Sequence, residues 1–60
     1  MVKEHSAKVG TIPTIIIVRG RLCKRVGAWI TFRRASPGTA WERGIIDRVN
    51  EDGYMFICRM

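Results

Sequence analysis

WERGIIDRVNEDGYMFICRM, residues 41–60, decides the fold of this chain. The segment holds two β-prone runs, residues 44–49 and 54–59, which are separated by residues 50–53. Asp52 and Gly53 end this linker, and an Asp-Gly pair can supply the positive φ that a tight hairpin turn needs. The segment therefore predicts a β-hairpin. Because an isolated hairpin is marginal in water, the remaining residues must pair with its edges or cover its apolar face.

Each strand of this hairpin has one face that we expect to point inward. In the first strand Ile46 and Val49 are the expected inward residues, and Gly44 marks a point of close backbone approach or a bulge. In the second strand both faces contain apolar residues, and we expect Phe56 and Cys58 to point inward. The residues expected to face outward are Met55, Ile57 and Arg59.

The N-terminal half is less regular than the hairpin. Residues 1–11 mix charged and small side chains without an apolar period, so we expect a flexible arm, followed by a single small β domain over residues 12–60. Residues 14–18 are a β-branched run without alternation, which indicates a strand that is buried on both faces or that takes part in a subunit contact. Residues 22–26 are expected to return as a short basic strand after a turn at Gly20.

Residues 28–34 are the next expected strand, and its two faces differ. Ile30, Phe32 and Arg34 share the side that we expect to be core, while Trp29 and Arg33 share the exposed side. Residues 35–40 contain a Pro-Gly pair and predict a loop. Since no segment has a helical period, the sequence predicts an all-β fold of five short strands, either a small barrel or an open curled sheet.

The charge of the chain favours a polyanionic partner. Its 60 residues include 11 Lys and Arg against 5 Asp and Glu, which gives a net charge of +6. Nucleic acid is therefore the first partner class, and an acidic protein surface is the second. Nine of the eleven cations follow residue 18, and eight of those nine are arginines, whose planar guanidinium suits phosphates and base edges. A charge that only keeps the domain soluble is the plainer interpretation, and it stays open here.

Composition argues against several other classes. No run approaches the roughly 20 apolar residues that cross a bilayer, and residues 1–10 lack the pattern of a secretory leader, so we expect a cytoplasmic protein without a membrane partner. Two cysteines and one histidine are too few for a structural zinc site. No nucleophile can be matched with a base. We therefore expect no metal, no cofactor and no catalytic residue. Since a domain this small buries only about 60% of its unfolded surface, we expect a homo-oligomer.

The order of motifs from Gly27 onward resembles the Src-homology-three-like (SH3-like) barrels, in particular Tudor and KOW domains. The shared features are a glycine before a strand, a Pro-Gly loop that ends at Trp41, the pair Arg43-Gly44, and an Asp-Gly turn before a final aromatic strand. The resemblance covers residues 27–60 and implies a small five-stranded barrel. Those families normally add two strands after the last one, which here would come from residues 14–26, in a rearranged order, or from a partner chain.

Two functional hypotheses follow. The first is a module that binds DNA or RNA, in which arginines contact phosphates and exposed tryptophans offer planar surfaces to the bases. The residues expected to bind nucleic acid are Lys24, Arg25, Trp29, Arg33, Arg34, Trp41, Arg43 and Arg48. The second is a small adaptor or inhibitor that docks on a partner protein. It would use residues 15–18 as an edge strand, or a groove formed by Trp41, Tyr54 and Phe56.

Overall fold

The computed structural model describes residues 3–59, which form a closed barrel of five β-strands. The strands are β1 (Glu4–Val9), β2 (Ile12–Val18), β3 (Trp29–Arg34), β4 (Glu42–Val49) and β5 (Met55–Arg59). The expected all-β class and the small barrel are confirmed, and the architecture is compatible with an SH3-like barrel. Among the described residues, no helix is long and apolar enough to cross a membrane.

The barrel closes through one parallel strand pair. Consecutive strands pair antiparallel from β1 to β5, and β1 then pairs with β5 in parallel, with Ala7 opposite Met55 and Val9 opposite Ile57. In a meander of five strands the first and the last run in the same direction, so closure requires this parallel pair. A closed barrel leaves no strand edge unpaired.

The expectation of a flexible N-terminal arm over residues 1–11 is wrong for the described part of that segment. Residues 4–9 are β1, and Ala7 and Val9 are buried in the core. β1 and β2 are joined by Gly10 and Thr11, and Gly10 has a φ of 63°. A glycine at the first position of a two-residue hairpin loop is typical of a type II′ turn. The strands that complete the barrel are therefore β1 and β2, within residues 4–18, and of the expected residues 14–26 only 14–18 belong to a strand.

The C-terminal hairpin that the sequence predicts is present. Gly53 has a φ of 85°, and its N–H donates to the Asn50 carbonyl at 3.0 Å. The Asn50 N–H in turn donates to the Tyr54 carbonyl at 2.9 Å, so Asn50 stands opposite Tyr54 and Val49 stands opposite Met55. This register sets which face of β5 points inward.

The inward face of β5 is the opposite of the one expected. Met55 and Ile57 are buried, at 0% and 2% exposure, whereas Phe56 is half-buried and Cys58 is exposed. Directly opposite residues of an antiparallel pair share a face. Met55 lies opposite Val49 and Ile57 lies opposite Ile46, so both side chains point inward together with these β4 residues. The inward direction of Ile46 and Val49 agrees with the prediction. The core consists of Ala7, Val9, Ile16, Ile30, Phe32, Ile46, Met55 and Ile57.

A β-bulge in β4 changes the direction of one arginine. The register moves from Ile46 opposite Ile57 to Arg48 opposite Phe56, so Asp47 is an additional residue on β4. With strict alternation, Arg48 would share the inward face of Ile46. The bulge turns Arg48 outward and returns Val49 to the inward face, where it packs against the core.

Residues 22–26 do not form the expected short strand. They belong to the loop between β2 and β3, in which Leu22 packs against the core while Lys24 and Arg25 are exposed. β2 pairs directly with β3, with Val18 opposite Phe32. That pairing leaves no position in the sheet for a strand between them.

Candidate nucleic-acid interface

The outer surface of β3 and β4 carries exposed aromatic and cationic side chains together. Trp29 and Arg33 project outward from β3, as expected, and Arg43 lies opposite Thr31 on the same surface of β4. Trp29 is 53% exposed and Trp41, just before β4, is 45% exposed. Tryptophan more often contributes to the core of a small domain. Two large exposed indoles on a domain of this size are therefore unusual, and they indicate a binding surface.

Arginines lie over both indole rings. The guanidinium carbon of Arg43 is 5.0 Å from the ring centroid of Trp29. Trp41 has two such neighbours, Arg33 at 5.5 Å and Arg19 at 5.9 Å. Contacts of this length are cation–π interactions, worth roughly 0.5–1 kcal/mol each at exposed sites. We call this set the tryptophan face: Arg19, Trp29, Arg33, Trp41 and Arg43.

Carboxylates do not neutralise the tryptophan face in the described part of the chain. The ion pairs within residues 3–59 both involve Glu42, which binds Arg34 and, at 3.3 Å, Arg59. The arginines of the tryptophan face thus keep their charge available to an incoming anion. Their guanidinium groups also remain hydrogen-bond donors toward solvent, since a cation–π contact uses the face of the group and not its N–H bonds.

Arg34 is a predicted site residue that lies apart from the tryptophan face. It stands opposite Ile16 on the inward side of β3, at the end of the barrel, and donates a hydrogen bond to Glu42 Oε2. The sequence predicts that Arg34 is on the core side of this strand, which the structure confirms, and also that it belongs to the nucleic-acid site. Because Arg34 points away from the outer surface of β3 and is paired with Glu42, it is not part of the tryptophan face.

Arg48 belongs to a second group of side chains, which lies on the outer surface of β4, β5 and β1. Its guanidinium carbon is 5.3 Å from the ring centroid of Phe56, and the Lys8 amine is 5.9 Å from the same centroid. Tyr54 packs edge-to-face on Phe56, with ring centroids 5.4 Å apart. We call this set the phenylalanine patch: Lys8, Arg48, Tyr54 and Phe56.

Lys24 and Arg25 occupy the exposed loop between β2 and β3 and contact neither tryptophan ring in the described structure. Lys24 lies close to Gly53 and to His5. Partial burial of His5, together with the positive charges of Lys24 and Lys3, lowers the pKa of its imidazole below the usual value. The neutral imidazole is therefore favoured at neutral pH, and His5 adds no cation there.

Two cations that lie over aromatic rings, Lys8 and Arg19, are outside the set of residues that the sequence predicts to bind nucleic acid. The sequence predicts that Lys8 lies in a flexible arm, because residues 1–11 have no apolar period. The Gly-Thr pair before the β-branched run could have revealed a hairpin there. Arg19 directly follows the β-branched run, and no motif in the sequence marks it as a binding residue. Its N–H donates to the Thr31 carbonyl at 2.9 Å and so extends the β2–β3 ladder toward Trp41.

The described part of the structure contains neither the free edge strand nor the aromatic groove that the sequence predicts for protein docking. Residues 15–18 do not offer a free edge, because β2 is hydrogen-bonded to both β1 and β3. The contact between aromatic rings within residues 3–59 joins Tyr54 to Phe56, whereas Trp41 lies against arginines. The three rings therefore do not form a common groove. The described residues also bring together no group of three His, Cys, Asp or Glu side chains that could hold a metal ion.

Comparisons with protein-family models, with curated proteins and with solved structures found no match to this chain. Its resemblance to Tudor and KOW domains therefore stays a prediction that rests on the motifs quoted above. The functional argument depends on the geometry of the chain itself.

Proposed function

We propose that this protein is a nucleic-acid-binding module that uses the tryptophan face. The observation that carries the proposal is the combination of two exposed indoles with three arginines that no carboxylate pairs within residues 3–59. Arginines supply phosphate contacts, and exposed rings supply stacking surfaces that accept any base. A Tudor-like or KOW-like relationship would agree with this activity, but the proposal does not need it.

The predicted site divides into parts with different roles. Trp29, Arg33, Trp41 and Arg43 are the centre of the interface, joined by Arg19. Arg34 is left out because Glu42 compensates its charge. Lys24 and Arg25 contribute only to the general positive potential of the domain, which speeds encounter with a polyanion and is screened by salt.

A salt titration tests this function. Labelled single-stranded and double-stranded oligonucleotides are titrated with the protein, and the dissociation constant is measured by fluorescence anisotropy at several salt concentrations. We expect log K to fall linearly with log salt, by about 0.7 for each phosphate contact on a single strand. Absence of binding at low salt to every oligonucleotide would reject the proposal.

A second candidate function is docking on a protein, or on another copy of the chain. Ile12 and Ile15 are exposed on β2, and Ile15 lines a shallow groove with Ser6, Pro13, Thr14 and Tyr54. Exposed apolar side chains of this kind are common at subunit contacts. Sedimentation measured without nucleic acid tests for the homo-oligomer. Retention of a protein partner after nuclease treatment tests for the adaptor.

A further inference from the structure

The phenylalanine patch has the same chemistry as the tryptophan face but lies on a neighbouring wall of the barrel. Lys8, Phe56 and Arg48 occupy one row across β1, β5 and β4, because Phe56 is opposite Lys8 on one side and Arg48 on the other. Neighbouring strands are about 4.8 Å apart, so the row is roughly 10 Å wide. Neither cation pairs with a carboxylate within residues 3–59. The row therefore presents two positive charges with an aromatic ring between them.

Strand β4 connects the two surfaces. Arg43 projects from its first part into the tryptophan face, and Arg48 projects from its last part into the phenylalanine patch. The two residues are five positions apart, which is roughly 16 Å along a strand at about 3.3 Å per residue. An odd separation normally places two side chains on opposite faces of a strand. The bulge at Asp47 is what turns both arginines outward.

From this arrangement we infer that the phenylalanine patch is a second contact site for the same polynucleotide, and that the polynucleotide is single-stranded. This inference rests on the proposed function. A single strand can bend from the tryptophan face around β4 to the phenylalanine patch, placing phosphates near Arg48 and Lys8 and a base on Phe56. A duplex is stiff, with a persistence length of about 150 base pairs, and so it contacts one wall of a barrel whose largest dimension is 29 Å.

The test compares strand lengths on two matched variants. The double variant Lys8→Ala with Arg48→Ala removes the cations of the phenylalanine patch and leaves the tryptophan face intact. Its control, Lys3→Ala with Arg21→Ala, removes the same charge from exposed residues that lie over no aromatic ring in the described structure. Each protein is titrated with RNA and DNA single strands of about 4 and about 16 nucleotides, which span the usual site sizes of small barrels, and with a duplex of the longer sequence.

The inference predicts a defect that depends on strand length. For the longer strand of RNA or of DNA, the K8A/R48A variant should lower the salt slope by about 1.4 and the affinity about 25-fold at about 0.1 M salt, because two phosphate contacts are lost. The short strand fills the tryptophan face alone, so its affinity should match that of the control variant, and so should the affinity of the duplex.

Each contrary result has a distinct meaning. If the long strand binds the K8A/R48A variant as well as it binds the control, the second site is rejected while the proposed function stands. If the duplex loses as much affinity as the long strand, the preference for single strands is rejected. If wild-type protein binds no strand at low salt, the proposed function fails and the inference fails with it. Circular dichroism of both variants verifies that they keep the fold.

Discussion

Arg33 and Arg34 are neighbours in the chain, yet their side chains lie on opposite faces of β3 and have opposite kinds of partner. Arg33 points outward and lies over Trp41 at 5.5 Å. Arg34 points toward the end of the barrel and binds Glu42. The alternation of side chains along a strand thus separates one arginine that is available to a ligand from one that is already paired with an acid.

This relationship predicts a clear difference between two single substitutions. Arg33→Ala should weaken single-strand binding about fivefold at about 0.1 M salt and lower the salt slope by about 0.7, because one phosphate contact is lost. Arg34→Ala should change the binding constant by less than about twofold, since its charge is compensated. Anisotropy titrations of the two variants under identical conditions make the comparison. Equal defects in both variants would mean that only net charge matters and that the tryptophan face has no special role.

A second prediction concerns the indoles. Trp29→Leu and Trp41→Leu remove the stacking surfaces but keep an apolar side chain, and both positions are about half exposed. Each variant should therefore keep the thermal stability of the wild type, while single-strand binding weakens by about 1–3 kcal/mol, the usual contribution of one stacked base. Each variant retains one of the two tryptophans, which serves as a fluorescent reporter of binding. Loss of stability without loss of affinity would assign the indoles a role in packing.

The histidine supplies a prediction about pH. Partial burial, Lys24 and Lys3 lower the pKa of His5 in the folded protein, so as pH falls below about 6.5 the unfolded chain takes up the proton first. The free energy of unfolding should decrease from that pH down to the lowered pKa and then stop responding to this group. Urea unfolding of wild type and His5→Gln between about pH 5 and pH 8 isolates the effect. An identical pH dependence in the two proteins would remove His5 as its source.

The parts of the fold that sequence reasoning predicted are those that local chemistry specifies. The Asp52-Gly53 turn requires a glycine at positive φ, and the alternation around Ile30 and Phe32 defines a core face without reference to any other strand. The outward direction of Trp29 is predicted by the same alternation, because a residue next to a core position in a strand points away from the core. Two of the five residues of the tryptophan face, Trp29 and Arg33, could therefore be predicted from β3 alone.

The remainder depends on pairings between distant residues. β1 has little apolar character of its own, and it is a strand because β2 and β5 both offer it hydrogen bonds. The direction of Arg48 depends on a bulge that becomes visible only when β4 is aligned with β5. Likewise, the contact of Arg19 with Trp41 joins residues that are brought together by the β2–β3 ladder. None of these features has a local signal strong enough to outweigh a competing interpretation.

The N-terminal strand can be tested by truncation. A chain that begins at Gly10 lacks β1, which removes Ala7 and Val9 from the core and exposes one edge each of β2 and β5. We expect this chain to be unfolded or aggregated at 25 °C, because a domain of 60 residues has a total stability of only about 3–9 kcal/mol. Far-ultraviolet circular dichroism and light scattering measure the outcome. A soluble, folded product with cooperative melting would show that the barrel does not need β1.

The last prediction concerns Gly44, which is buried in β4 opposite Ile30 and Arg59. A Cβ at this position would lie 2.7 Å from the Cys58 carbonyl oxygen and 2.9 Å from the Ile57 Cγ2. Because the nearest atom belongs to the backbone of the paired strand, the clash is relieved only by moving β5 away from β4. Gly44→Ala should therefore lower the free energy of unfolding by about 1–3 kcal/mol, the usual cost of overpacking a core, a large fraction of the total.

Urea unfolding followed by circular dichroism measures this loss. Ser36→Ala, in the exposed loop after β3, is the matched control and should change the free energy of unfolding by less than about 0.5 kcal/mol. The loss at Gly44 should also appear as faster amide exchange in β5, whose hydrogen bonds to β4 are the ones displaced. If Gly44→Ala were as stable as the control, β4 and β5 would have to be farther apart around Gly44 in solution than the structure has them.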